Sequence, residues 1–259
     1  MTDATRLTEQ YGLSGQTALV TGGGTGLGKA IATSLAQSGA KVVIAGRRED
    51  VLQDACAEIC MGTRYQVLDL TDIAAIPAAA AQLHADHGPF DILVNNAGNT
   101  IKKPFMESDL RDFDSVFDVH VRGALELSRA VMDSMLKAGT KGSVLFISSM
   151  TAYIGQPNVS GYTISKTAIN GVIRALSAEF AQSGIRVNGV APGWIDTDVF
   201  RTATKGDPER KAKIMGRIPM GTLGDPEDIG WACAFLCAPA AKYVTGQVLL
   251  VDGGGATGF

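Results

Sequence analysis

Tyr162 and Lys166 stand four residues apart, and Ser149 lies thirteen positions before Tyr162 at the end of an apolar run. Positions i and i+4 of a helix share a face, so the phenol and the ammonium would point into one space. An ammonium beside a phenol favours the phenolate, so the spacing predicts a Tyr162 pKa below the ordinary tyrosine value of about 10. A serine hydroxyl at the mouth of the same cleft can donate to a substrate oxygen. Taken singly, a serine after a strand is commonly a turn or cap, and a helical tyrosine is commonly core. Together the three suit proton exchange at an alcohol or carbonyl, and they lack only a hydride carrier.

The N-terminal segment is suited to hold one. Thr21-Gly22-Gly23-Gly24-Thr25-Gly26-Leu27-Gly28 follows an apolar strand-like run and precedes a helix-like stretch. Glycines there allow a tight turn and let a pyrophosphate approach the backbone N–H groups at a helix N-terminus. The spacing is G-x-x-x-G-x-G and departs from the dinucleotide pattern G-x-G-x-x-G. The next strand-like run ends in Gly46-Arg47-Arg48, where an NAD-selective site would offer a carboxylate. Arginine pairs bidentately with phosphate, which tilts the expected cofactor toward NADP(H) and leaves NAD(H) open. The plainer reading of Arg47 and Arg48 is a solvated helix start opposite Glu49 and Asp50.

These residues need a scaffold. The chain has 259 residues, 46% hydrophobic and 19% charged, with a net charge of −3. That length is enough to bury roughly three quarters of the unfolded surface. No basic stripe dominates any segment, which argues against nucleic acid as a partner. No apolar run approaches the roughly 20 residues of a membrane span, and the polar start Met1 to Gln10 lacks a signal-peptide core, so cytoplasmic residence is expected. Cys56 with Cys60 and Cys233 with Cys237 lack the Cys-x-x-Cys spacing of zinc or redox sites, and they are expected to be buried and reduced, with no metal.

Seven short apolar runs read as strands: Thr17 to Val20, Lys41 to Ala45, Tyr65 to Leu68, Ile92 to Val94, Val144 to Ile147, Ile185 to Val190 and Val248 to Val251. Helices are expected at Gly26 to Ser38, Val51 to Met61, Ile73 to His87, Glu107 to Leu136, Gly161 to Gln182 and Pro226 to Cys237. Continuous rather than alternating hydrophobicity suits a sheet buried on both faces, and the spacing between runs suits crossover helices. The expected fold is one α/β domain over residues 1–259, a Rossmann-like doubly wound parallel sheet with helices on both faces. Residues 196–217, with six basic and four acidic side chains, read as a helical lid over the site.

Five features stand in order: the glycine turn, Asp69 after the third strand, Asn95-Asn96-Ala97-Gly98 after the fourth, Ser149 with Tyr162 and Lys166, and Pro192-Gly193 after the sixth. This ordered set, with the ending Val251-Asp252-Gly253-Gly254, resembles the short-chain dehydrogenase/reductase family over nearly the whole chain. The resemblance implies that Gly22, Thr25, Gly26, Leu27 and Gly28 line a pyrophosphate site and that Arg47, with Arg48, meets a 2'-phosphate. Asp69 and Leu70 would flank adenine. Asn95, Ala97 and Gly98 would pack along the adenosine ribose and the sheet, and Pro192, Gly193, Ile195 and Thr197 would hold the nicotinamide end. Tyr162 would be the acid/base, Ser149 would bond the substrate oxygen, and Lys166 would bind the nicotinamide ribose and keep Tyr162 partly ionised. The family commonly has an asparagine in its long central helix; here His120 stands there, and the resemblance makes it a candidate member of the proton relay.

Asn99-Thr100-Ile101-Lys102-Lys103-Pro104-Phe105 is similar to the basic loop of gluconate 5-dehydrogenases and ketogluconate reductases. Lys102 and Lys103, with Arg201 or Lys205 from the lid, would receive a sugar-acid carboxylate, or remain as solvated lysines. A 3-oxoacyl-carrier-protein reductase, with an acidic carrier meeting the basic rim, is the alternative substrate reading, and a general polyol or small-ketone reductase is a third. Outside enzymes stands a regulator that senses NADP(H) without turnover, although such a protein would be expected to lose Tyr162 or Lys166. The resemblance implies a homotetramer, and the sequence leaves a dimer open.

Overall fold

The computed structural model describes residues 3–258. Met1, Thr2 and Phe259, the ends of the expected single unit, lie outside the described residues. In chain order the elements are α1 (Asp3–Tyr11), β1 (Thr17–Thr21), α2 (Gly26–Gln37), β2 (Lys41–Gly46), α3 (Glu49–Ile59), β3 (Arg64–Val67), α4 (Ile76–His87) and β4 (Ile92–Asn95). They continue with α5 (Leu110–Phe117), a π-helical turn Asp118–Gly123, α6 (Ala124–Ala138), β5 (Ser143–Ile147), α7 (Ser160–Phe180) and β6 (Arg186–Pro192). The last are α8 (Asp198–Thr204), α9 (Pro208–Met215), α10 (Pro226–Cys237) and β7 (Val248–Val251).

The seven strands form one parallel sheet in the order β3-β2-β1-β4-β5-β6-β7. Strand side chains alternate between its faces, as the two-residue period requires. Val20, Ile44, Val94 and Leu145 point into a core closed by α2, α3 and α10. Leu19, Val43, Leu93 and Phe146 point into a second core closed by α4, α6 and α7. Burying such a side chain stabilises by about 1.5–3 kcal/mol, which is why both faces must be covered. The expected two-sided burial holds for the five inner strands, but β3 and β7 are only partly buried because each has a neighbour on one side alone.

Two expectations are corrected, and one helix is added. The helix expected from Glu107 to Leu136 is broken in two. A capping box between Asp109 and Asp112 starts α5 at Leu110, and the π turn interrupts the ladder before α6. Cys60 is exposed and Cys56 partly so, since Cys60 caps the end of α3 with φ +59°; Cys233 and Cys237 are buried. Helix α1 was not anticipated, because its mostly exposed, polar sequence has no strong core stripe. No helix among the described residues is long and apolar enough to cross a membrane.

The order in which successive strands are added reverses between β1 and β4, and the parallel register sets their ends side by side, with Val20 beside Val94 and Asn95 beside Phe146. In open α/β sheets the crevice beyond the carboxyl ends at such a switch point is where ligands bind. The segments that leave these ends are the glycine turn, Asn96 to Gly98, and Ser148-Ser149.

Candidate active site

The turn after β1 is shaped by close approach to the segment after β4. The Thr21 hydroxyl donates to the Val94 carbonyl at 3.3 Å and accepts from the N–H groups of Asn96 and Ala97 at 3.0 and 3.1 Å. Asn96 Nδ2 donates to the Thr21 carbonyl at 2.9 Å and to that of Gly22 at 3.3 Å. A Cβ on Gly22 would lie 2.9 Å from Ala97 Cα, and its φ of +66° is left-handed, so the position requires glycine. Gly26 likewise has φ +51°, and Gly28 packs against the Gly22 carbonyl. Thr21 and Asn96 are positioning residues that the sequence reading did not single out; polar side chains at the ends of two neighbouring strands are the trace they leave.

Helix α2 begins at this turn with Thr25 as N-cap, but the Thr25 side chain makes no capping bond and the first turn holds no acidic residue. By contrast, α5 and α10 open on capping boxes with acidic first turns. Free N–H groups and a positive dipole end without a carboxylate fit a pyrophosphate. Arg47 and Arg48 are exposed just past β2. Asp69 is held below the usual carboxylate range despite some burial, through hydrogen bonds from Thr71 and, to a lesser degree, the charge of Arg47. The Leu70 side chain is buried in the second core, Asn95 is buried with its Nδ2 donating to Ser128 at 2.9 Å, and Ala97 is partly buried. Past β6, Pro192 and Ile195 are buried, Gly193 packs against Asp252, and the Thr197 hydroxyl caps α8. The residues present therefore fit a dinucleotide with an extra phosphate.

Ser149 follows β5 directly, and its hydroxyl accepts from the Thr151 N–H at 3.1 Å. Tyr162 and Lys166 lie one turn apart in α7, as their spacing predicted. Lys166 is buried, its Nζ donates to the Ile147 carbonyl at 2.6 Å, and it stands 5.4 Å from the Tyr162 ring centroid. Burial pulls its pKa down to about 7. The expected depression at Tyr162 is corrected: burial raises its pKa, opposed by a hydrogen bond from Ser149. Lys166 spends a proton on a backbone carbonyl of β5 and so does less for the phenolate than helical spacing alone suggested.

His120 is buried in the π turn, its ring edge-on to Tyr162 at 5.4 Å between centroids and 81° between planes. Nε2 lies 2.7 Å from the Asn99 carbonyl and 3.2 Å from the Asn99 N–H; the shorter contact assigns Nε2–H as donor to the carbonyl. Burial and the charge of Lys166 pull its pKa down to about 3, so the ring is neutral near pH 7. A π turn rotates the following residues off the regular ladder, and such turns recur at functional sites. Gly98 lies so close to this ring that any Cβ would collide with it.

The rim differs from expectation in its cations. Lys103 pairs with Asp112 at 2.9 Å, and Arg201 pairs with Asp196 at 2.9 Å and Asp198 at 3.4 Å. Arg201 and Lys205 line a cavity of about 420 Å³ that shares no lining residue with a second cavity of about 340 Å³. The second is walled by Lys102, the loop 154–158 that joins Ser149 to Tyr162, Trp194, and the face of α9 carrying Arg210 and Lys213, with Arg217 beyond. Of the expected carboxylate acceptors only Lys102 faces this cavity. The 210, 213, 217 spacing was the sequence trace of the other three.

A family model described as enoyl-(acyl carrier protein) reductase matches residues 22–256. The chain is 40% identical over 251 residues to 2-dehydro-3-deoxy-D-gluconate 5-dehydrogenase of Pseudoalteromonas atlantica, covering 95% of this chain and 98% of that protein. It is 35% identical to 3-oxoacyl-(acyl-carrier-protein) reductase of Escherichia coli K12, covering 93% and 97%. The crystal structure of a gluconate 5-dehydrogenase from Burkholderia cenocepacia in complex with NADP and tartrate superposes with a TM-score of 0.92 at 30% identity, covering 98% of this chain and all of that one. With the sheet order, the glycine turn and the Ser149, Tyr162 and Lys166 cluster in one crevice, the chain belongs to the short-chain dehydrogenase/reductase family.

Proposed function

We propose that the protein is an NADP(H)-dependent oxidoreductase that interconverts the secondary alcohol and ketone of a sugar acid of the gluconate/5-ketogluconate type. The carrying observation is the convergence of Ser149, Tyr162 and Lys166 past the carboxyl end of β5, on the same edge of the parallel sheet as the uncapped α2 N-terminus and Arg47. When bound, NADP(H) supplies or accepts the hydride. Gly22, Gly26 and the first turn of α2 would hold the pyrophosphate, and Arg47 with Arg48 would hold the 2'-phosphate. In reduction, Ser149 donates a hydrogen bond to the carbonyl oxygen and Tyr162 donates the proton that completes the alcohol; a raised pKa keeps the phenol protonated for that step. The buried Lys166 ammonium offsets charge on the phenolate left behind, and Tyr162 is then reprotonated from solvent.

His120 is a positioning residue in this reading: the neutral ring fixes the Tyr162 ring and the Asn99 backbone. Segment 196–217, carrying α8 and α9, serves as the lid of a single domain, because α9 walls the cavity beside the site. Exposed Leu110 on α5 and Ile164 on α7 support self-association into a homotetramer, with a dimer as the alternative. A freely diffusing nicotinamide cofactor suits a cytoplasmic enzyme.

Steady-state rates with NADPH and NADH across 5-ketogluconate, acetoacetyl thioesters and simple ketones test the reading. Preference for NADPH with 5-ketogluconate is expected. Preference for NADH defeats the cofactor assignment, and activity confined to thioesters replaces the sugar acid with an acyl-carrier substrate.

A further inference from the structure

Lys102, Arg210, Lys213 and Arg217 come from three different segments and wall one cavity of about 340 Å³ with no acidic residue in its lining. Among the described residues the side chains of Lys102 and Lys213 have no hydrogen-bond or ion-pair partner. Arg210 donates one N–H to the Ala203 carbonyl at 2.8 Å and Arg217 one to the Gly255 carbonyl at 3.4 Å, which leaves most of each guanidinium unspent. Of the neighbouring cations, Lys103 and Arg201 are matched by carboxylates, whereas Lys205 and Lys211 of the other cavity have no ion pair among the described residues. The four cations of this cavity differ in converging on one wall, one loop away from Ser149 and Tyr162, against the apolar surfaces of Trp194 and Ile214.

Scattered surface lysines need no partner, but convergence of four cations in one concavity raises their mutual repulsion. A single carboxylate would compensate one of the four charges. Arginine and lysine together also match the oxygens of a multiply charged group better than those of a neutral sugar hydroxyl.

Resting on the proposed oxidoreductase reading, we infer that this cavity is an anion subsite for a substrate end carrying two negative charges, remote from the reacting carbon, so that the physiological sugar acid bears a charge that the probe substrate 5-ketogluconate lacks. A terminal phosphate and a two-carboxylate end share that chemistry. Lys213 and Arg210 are its principal donors, because they lie on the one face of α9 turned into the cavity.

The test is inhibition of 5-ketogluconate reduction by acetate, tartrate and inorganic phosphate. NADPH is kept saturating so that the cofactor's own phosphate sites are filled, and a thermal-shift titration of the same ions is run alongside. Tartrate or phosphate is expected to compete with the keto acid at least about tenfold more strongly than acetate. Lys213→Gln and Arg210→Gln are each expected to weaken that competition by about tenfold, the low end for a lost charged hydrogen bond. Phosphate outcompeting tartrate identifies a phosphate ester; the reverse identifies a dicarboxylate. Equal inhibition by acetate, or competition that neither variant weakens, overturns the inference. Turnover of 5-ketogluconate without dianion preference sinks the subsite and leaves the enzyme reading intact. Dianion-induced stabilisation lost in the variants, without turnover of any keto acid, does the opposite.

Discussion

The rings of His120 and Tyr162 meet edge to face at 5.4 Å, and the same imidazole bonds the Asn99 backbone at 2.7 Å. One side chain thereby couples the loop after β4 to the acid/base residue. His120→Ala should lower kcat about tenfold or more with a smaller change in KM, since a positioning contact and not a substrate contact is lost. His120→Asn, which restores a polar group of smaller size, should recover part of that loss. Equal losses of kcat in both variants, with a new ionisation in the pH–rate profile, would mean that the ring itself transfers protons.

His120 also predicts a pH dependence of stability. Its folded pKa of about 3 lies below the ordinary value of about 6.5, so between them the unfolded chain binds more protons and stability rises with pH. The contribution is complete above about pH 6.5 and is lost as pH falls toward 3, with a limiting slope of about 1.4 kcal/mol per pH unit. Urea unfolding of the wild type and of His120→Asn across pH 4 to 7 checks this: the variant should lose stability less steeply on acidification.

A methyl group at Gly98 would strike the His120 ring. That ring is buried and pinned, so it cannot swing away as a surface side chain would. Gly98→Ala should destabilise by about 1–3 kcal/mol, the usual range for an overpacked core. The pair Gly98→Ala with His120→Ala should be less destabilised than the sum of the single changes, because the cavity left by the ring accepts the methyl. Additive losses in thermal unfolding would place the strain elsewhere.

Arg47 is exposed, and its charge helps to hold the Asp69 carboxyl below the usual range. Arg47→Ala should reduce kcat/KM for NADPH about tenfold to a hundredfold, as loss of a charged hydrogen bond predicts, and should change the value for NADH far less. Equal losses with both cofactors would remove the 2'-phosphate from the assignment.

Much of the fold could be read from the chain because each apolar run is also a strand, the inner five buried on both faces, and β7 even has the expected bounds. What escaped depended on contacts between distant segments. The π turn at His120 depends on packing against Gly98 and Tyr162, which no helical period records. The same holds for chemistry: the spacing of Tyr162 and Lys166 placed them on one helix, but not the Ile147 carbonyl that takes the Lys166 proton donor. For the rim, charge alone could not separate Arg201, neutralised by Asp196, from Lys213, which faces the cavity.

The central claim is that Tyr162 delivers the proton in an NADPH-dependent carbonyl reduction. It is tested most directly by measuring NADPH oxidation with 5-ketogluconate in the wild type and in Tyr162→Phe, after fluorescence titration has shown that both bind NADPH. The variant keeps the ring that meets His120 and lacks only the hydroxyl. A fall in kcat of about a hundredfold to ten-thousandfold, the usual worth of general acid catalysis, is predicted. Turnover by Tyr162→Phe within a few-fold of the wild type would contradict the account.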